Sequence, residues 1–252
     1  MRNLYEQCLK LTQFAAMEFE EIFQFSQERL KQALETELIE NGYAVQKQSG
    51  FLYAQGTVPV LLVAHLDTVH RTQPETICYS ADGTVMMSPQ GIGGDDRAGV
   101  YMILRLIQRV HCHVLFCEDE ETGGHGARAF TKSGIKPDVN YIVELDRTGS
   151  NDAVFYQCRN RQFERHINSF GFQTAFGSFS DISILAPHLN LAAVNLSTGY
   201  YHAHQPGEYV RLDEVEDLVG RIAKLLQTKT EQFSYTQRFT ARKLGEPNDL
   251  QR

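Results

Sequence analysis

Three apolar runs in this chain end on residues that a hydrophobic core rejects. Val60-Leu61-Leu62-Val63-Ala64 leads into His65-Leu66-Asp67, Val114-Leu115-Phe116-Cys117 leads into Glu118-Asp119-Glu120-Glu121, and Tyr141-Ile142-Val143-Glu144-Leu145 leads into Asp146-Arg147. Short apolar runs bounded by polar residues read as strands buried on both faces, which is the habit of parallel sheets covered by helices. In such sheets ligands gather beyond the carboxyl ends of the strands. Every one of these acids, and His65, falls at such an end. The pattern therefore constrains fold and site together.

The remaining elements follow from periodicity. Leu4 to Phe19 and Ser26 to Glu40 carry apolar residues at helical spacing, and Asn41-Gly42 supplies a stop for the second helix. Tyr43 to Gln55 alternates and turns at Ser49-Gly50, which predicts a hairpin leading into a buried strand over Val58 to Leu66. Val100, Ile103, Leu104 and Ile107 mark a helical face, His113 to Cys117, Tyr141 to Leu145 and Leu191 to Leu196 read as buried strands, and Leu212 to Leu226 reads as a closing helix. Strands alternating with helices predict an α/β fold, a three-layer α/β/α sandwich around a central, mostly parallel sheet. No repeat or Pro/Gly/Ser-rich linker divides the chain, so residues 1–252 are expected to form one catalytic domain, with a loosely held tail after about Ser234.

Bulk properties narrow the functions. A hydrophobic content of 42% is enough for a packed core, so disorder is not expected. With a net charge of −7 and Lys and Arg scattered along the chain, a phosphate backbone has no platform, which argues against nucleic acid. Glu6, Lys10, Glu18, Glu20 and Glu21 interrupt every apolar stretch of residues 1–25 before it reaches the length of a membrane span or signal core. The expectation is a cytoplasmic protein without membrane contact. The five cysteines, Cys8, Cys78, Cys112, Cys117 and Cys158, include no Cys-x-x-Cys pair and suggest packed thiols rather than disulfides or a thiolate metal site.

Each polar cluster has a structural reading beside a chemical one. His65 and Asp67 are two residues apart at a strand end and so share a side; His65 suits a metal and Asp67 suits a supporting role behind it. Gly91-Ile92-Gly93-Gly94-Asp95-Asp96-Arg97-Ala98-Gly99 enters the next helix with two acids, one of which can serve simply to cap it. A phosphate-binding loop is disfavoured, because adjacent carboxylates repel phosphate and no Gly-Lys-Ser/Thr follows. Four consecutive acids after a buried strand, Glu118 to Glu121, repel one another unless a cation or shared proton intervenes, so a multivalent metal is a natural compensation. Tyr200-Tyr201-His202-Ala203-His204-Gln205-Pro206-Gly207-Glu208 adds a histidine-bearing loop after the last strand.

In order, the motifs are His-x-Asp, a Gly-rich Asp-Asp-Arg-Ala-Gly, Glu-Glu-x-Gly-x-x-Gly-Ala, a strand-terminal Asp, and His-x-Pro-x-Glu. Spread over Val60 to Val210, this series resembles the co-catalytic di-zinc exopeptidases, the superfamily of aminopeptidases, carboxypeptidases, dipeptidases and aminoacylases. The resemblance implies that Asp95 bridges two divalent ions, zinc first with cobalt or manganese compatible, that His65 and Asp146 complete one ion, and that Glu121 and His204 complete the other. It further implies that Asp67 orients His65 and that Glu120 is the general base. His202 is the rival to His204, or an oxyanion donor together with Tyr200 or Tyr201. Ser180-Asp181 resembles a turn near the substrate pocket but also reads as a helix cap, and His125 and Arg147 are further candidate substrate contacts.

Many members of that superfamily carry an inserted lid or dimerisation domain. About 28 residues separate Asp67 from Asp95, and about 35 separate Asp146 from Asp181, too few for one. A bare catalytic domain lacks the lid or partner groups that hold a substrate carboxylate, which lowers the expectation of carboxypeptidase or acylase action. The expected function is aminopeptidase-type hydrolysis of a peptide or aminoacyl amide. Alternatives are an amidase or deacylase, or a carboxypeptidase or dipeptidase, on the same site, or a non-catalytic peptide- or metabolite-binding protein on the same fold. The sequence leaves the oligomeric state open.

Overall fold

The computed structural model describes residues 14–237. Residues 4–13 of the first expected helix lie outside that range, as does Cys8. Residues 14–20 are not helical; they run through a bend and a turn into a single-turn helix, α1 (Glu21–Gln24). The reason is a competing partner. The Glu37 carboxylate accepts the amides of Ala15 (2.6 Å) and Ala16 (3.2 Å), while Phe14, Met17 and Phe19 pack into the core. The apolar spacing that suggests a helix is that of an irregular segment laid along its neighbour.

Ser26 caps α2 (Gln27–Glu40) by accepting the Arg29 amide, and the helix ends at Asn41 with Gly42 at φ +82°, as the stop signal predicts. The hairpin β1 (Ala44–Gln48) and β2 (Phe51–Gln55) turns at Ser49-Gly50. Next come β3 (Val58–His65), β4 (Cys78–Tyr79), β5 (Val85–Met87), α3 (Gly94–Ile107) and β6 (Cys112–Cys117). After α4 (His125–Lys132) come β7 (Tyr141–Arg147), β8 (Asp152–Val154), α5 (Arg161–Asn168), β9 (Gln173–Ala175) and α6 (Ile182–Leu189). The chain closes with β10 (Ala193–Ser197), β11 (Tyr200–Tyr201), β12 (Tyr209–Arg211) and α7 (Leu212–Gln227).

The main sheet has the order β1-β2-β6-β3-β7-β10-β8-β9. Its centre, β6-β3-β7-β10, is parallel, while β2 runs antiparallel to β6 and β8 antiparallel to β10. Alternation assigns the faces. Leu62, Ala64, Val114, Phe116, Val143 and Leu145 join the cluster that holds α1, α2, α3, α5 and α7, whereas Leu61, Val63, Leu115, Cys117 and Ile142 join the cluster that holds α4 and α6. The result is the expected three-layer sandwich with a mixed sheet. A second antiparallel sheet, β11-β12-β5-β4, was not predicted; its strands of two or three residues are too short to show a period. Of the tail expected after about Ser234, residues 238–252 lie outside the described range; at its start Ser234 bridges Leu191 and Gln237 bridges Cys158, with Phe233 buried.

Cys112, Cys117 and Cys158 are buried free thiols, as expected, whereas the free thiol Cys78 is exposed. Among the described residues no helix is long and apolar enough to cross a membrane.

Candidate metal centre

Register brings the strand ends level. His65 pairs with Cys117, and Val63 pairs with Glu144, so the residues after β3, β6 and β7 emerge at one edge. There the Asp95 carboxylate lies between two histidines: Oδ1 is 3.1 Å from His65 Nε2 and Oδ2 is 3.2 Å from His204 Nε2. Each ring meets a second acid, His65 Nε2 at 3.5 Å from Asp146 Oδ1 and His204 Nε2 at 2.9 Å from Glu121 Oε1. The five residues singled out in sequence as ligands are thus together.

Among the described residues two triads, His65-Asp95-Glu121 and His65-Asp96-Asp146, each bring their ligand atoms within 4.8 Å of one another. Asp96 is already committed. Its Oδ2 accepts the His65 amide (3.1 Å) and its Oδ1 the Gly99 amide (3.2 Å), the local bond of a helix start. Of the adjacent pair, Asp96 takes the structural role and Asp95 is left to face the histidines; a cis peptide bond joins them. Gly99 is required here, since a Cβ would lie 1.8 Å from the Leu145 carbonyl oxygen.

Asp67 supports the cluster from behind. Its Oδ1 is 3.3 Å from His65 Nδ1, and its two oxygens accept the amides of Glu120 and Glu121 at 3.0 Å each. One side chain therefore fixes both the His65 ring and the backbone that presents the two glutamates. Two further supports were not among the residues singled out in sequence. Asn195 on β10 accepts the Asp146 amide and donates to the Asp146 carboxylate (3.2 Å) and to Tyr156 Oη (3.1 Å). Fully buried Glu208 accepts the amides of Gly93 (3.0 Å) and Asp95 (2.9 Å) and pairs with His70 Nε2 (2.7 Å), tying together the loops that carry His65, Asp95 and His204. Glu208 was visible as the last position of His-x-Pro-x-Glu; Asn195 gave no signal.

The other candidates separate. Glu120 and Arg147 line the same cavity of about 390 Å³ as Asp95, Glu121, Asp146 and His204. Tyr201 does not line it: its hydroxyl donates to Glu214 and its ring stacks on Tyr209, whereas Tyr200 and Tyr156 are at the wall. His202 is likewise turned away, its ring edge-on to Tyr209 with centroids 5.4 Å apart. Both His202 (φ +58°) and His204 (φ +64°) take left-handed backbone, which coils the loop so that only the His204 ring reaches Asp95. Asp181 sits at the start of α6 but makes no capping bond; it is fully buried, with the Cys117 thiol beside its carboxylate. Ser180 Oγ donates to Glu144 beside it. His125 begins α4 and is not part of the cavity wall.

The electrostatics are those of acids crowded without enough cation. Burial lifts Asp146 well above the carboxylate range, with the Asp95 charge adding. Burial and Asp95 bring Glu121 to about 7, and burial raises Glu120, with Asp95 and Asp67 adding. For His65, burial favours the neutral ring, but bonds to Asp146, Asp67 and Asp95 outweigh it and hold the ring charged; its bond to Asp95 leads in raising His204 to about 9. Asp95, between the two, stays ionised below its ordinary value despite its burial. Two imidazolium protons thus stand where cations are needed.

The fold is one that solved aminopeptidases and tripeptidases share. Aminopeptidase PepT of Bacillus cereus superposes with a TM-score of 0.64 at 15% identity, over 89% of this chain and 97% of that one. A tripeptidase of Staphylococcus aureus gives 0.68 at 13%, over 90% and 97%, and glutaminyl cyclase of Porphyromonas gingivalis gives 0.54 at 13%, over 89% and 95%. At these identities the likeness is one of fold. The sequence family described as Peptidase family M28 matches residues 52–183, more than half of the chain. The protein belongs to peptidase family M28 and is a hydrolase of that family. Comparison with curated proteins gives no match.

Proposed function

We propose that this M28 hydrolase is a two-zinc exopeptidase of aminopeptidase type. The observation that carries the reading is the shared carboxylate: Asp95 reaches one histidine with each oxygen, and each histidine meets its own second acid. The donor set fits two divalent ions, since neutral imidazoles and carboxylates suit zinc and a cation would relieve the crowded acids that now hold both rings protonated. His65, Asp95 and Asp146 would hold one ion, and His204, Asp95 and Glu121 the other. When bound, such ions supply Lewis acidity, which lowers the pKa of water and polarises a carbonyl.

The chain's own residues do the rest. Glu121 and Glu120 share an amide support from Asp67, yet only Glu121 reaches a histidine of the cluster, which leaves Glu120 free at the cavity wall. Glu120 takes a proton from the attacking water and returns it to the leaving nitrogen, and a carboxyl raised by burial suits that exchange. Solved structures of an aminopeptidase and a tripeptidase on this fold support the aminopeptidase choice within the family.

The test is a panel of aminoacyl anilides, dipeptides, N-acyl amino acids and N-terminal glutaminyl peptides, offered to protein loaded with zinc, cobalt or manganese. Cleavage of aminoacyl amides is expected, and Glu120→Gln should keep its metal while losing about 10²–10⁴-fold in turnover. Cleavage confined to N-acyl amino acids would make the protein a deacylase, and silence across the panel would overturn the catalytic reading.

A further inference from the structure

The cavity wall contains one group that neither metal binding nor proton transfer uses. Arg147 follows Asp146 at the end of β7 and is the one Lys or Arg among the residues lining the cavity. Its backbone is fixed, the carbonyl accepting both the amide (2.8 Å) and the hydroxyl (3.3 Å) of Thr198. Its side chain is much less engaged. Nε donates to Asp152 Oδ2 at 3.3 Å, and among the described residues the terminal nitrogens have no partner.

Other arginines of the fold contrast with this. Arg211 grips Asp213 with Nε (3.2 Å) and Nη2 (2.6 Å) together, Arg105 is buried against Tyr101 and Glu216, and Arg97 is buried with Nη1 on the Ile22 carbonyl (2.8 Å). A guanidinium presents five donors in a planar fork matched to a carboxylate. Arg147 uses one of them on a half-exposed acid that is not part of the cavity wall, a pair whose strength solvent reduces.

Charge balance points the same way. Asp95, Glu120, Glu121 and Asp146 are the acids of the wall, and two divalent ions would cancel their four charges. What remains is the positive end of Arg147, beside an ion-loaded centre and with its fork unfilled. We infer that Arg147 binds an anionic group of the substrate, so that this enzyme prefers peptides placing a carboxylate within reach of the scissile amide. The carboxylate belongs either to the carboxyl terminus of a very short peptide or to an acidic side chain. The inference rests on the amide-hydrolase reading and adds a substrate class to it.

Paired substrates separate the two sources. Leu-Gly is compared with Leu-Gly amide for a terminal carboxylate, and glutamyl with glutaminyl anilide for a side chain, using zinc-loaded wild type, Arg147→Met and Arg147→Lys, with zinc content measured in each. The anionic member of one pair should be favoured by about tenfold or more in kcat/KM, the scale of a charge-assisted bond. In Arg147→Met that ratio should collapse towards one, with Arg147→Lys between. Binding of the same pairs to Glu120→Gln protein, by calorimetry, gives a readout without turnover. Discrimination in binding with no hydrolysis by wild type would leave the anion site standing and overturn the hydrolase reading. Hydrolysis with no preference in either pair, or a preference that Arg147→Met retains, would overturn the inference itself.

Discussion

The two halves of the centre are built differently. His65 and Asp146 lie on the ends of central strands, their side chains only 1% and 10% exposed, whereas His204 stands on a coiled loop with half of its side chain open to solvent. Glu121 too comes from a turn rather than a strand. In the buried half the acid is desolvated and strongly raised, so a cation there gains most from the low local dielectric. In the other half Glu121 is nearly as buried, and His204 is the ligand that water reaches and screens. The same donor chemistry should therefore give one tight and one exchangeable ion, joined through Asp95.

The largest effect is expected from removing what the halves share. Asp95→Ala should abolish tight binding of both ions and lower kcat/KM by at least about a thousandfold, because the metals carry several kcal/mol of the barrier reduction; metal analysis after gel filtration and steady-state assays check it. Separating the halves comes next. His204→Ala should retain about one zinc per chain, while His65→Ala should lose the tight ion and leave a buried Asp146 without its partner. Equal zinc content in the two variants would break the comparison.

A smaller effect probes the support behind both halves. Glu208 accepts three donors, and an amide side chain accepts with one end only, so Glu208→Gln should weaken zinc binding about tenfold in a chelator competition, the usual scale for groups behind a ligand. The smallest effect belongs to Asp181. Burial raises its carboxyl to about 7, so folding favours the protonated form. The cost of ionising it is absent below the unfolded value near 4 and grows as pH rises towards 7. In metal-free protein, Asp181→Asn should raise Tm at pH 6 more than at pH 5, by about 1 kcal/mol or roughly 2–4 °C at this chain length.

What the sequence made legible follows the same division. The buried half announces itself, because the end of a core strand rejects a group such as His65 or Asp146 unless a partner or a cation compensates it. The open half depends on loop geometry that residue order does not encode. His202 and His204 are equally plausible in sequence, and only the two left-handed residues decide that the second ring faces Asp95. Tyr200 and Tyr201 part for a similar reason, since neighbours on a strand point to opposite sides. Phe14 to Phe19 shows the converse: its apolar spacing is real, but bonds to Glu37 override the helix it suggests. Asn195 was unreadable because its importance lies in a neighbour one strand away.

The central claim is that Asp95, and not Asp96, joins two ion sites of unequal burial. A crystal structure of zinc-loaded protein with anomalous scattering tests it directly. The expected result is two peaks, one against His65 and Asp146, the other against His204 and Glu121, with an Asp95 oxygen coordinating each. A single peak, or a site ligated by Asp96 with Asp95 unused, would contradict it.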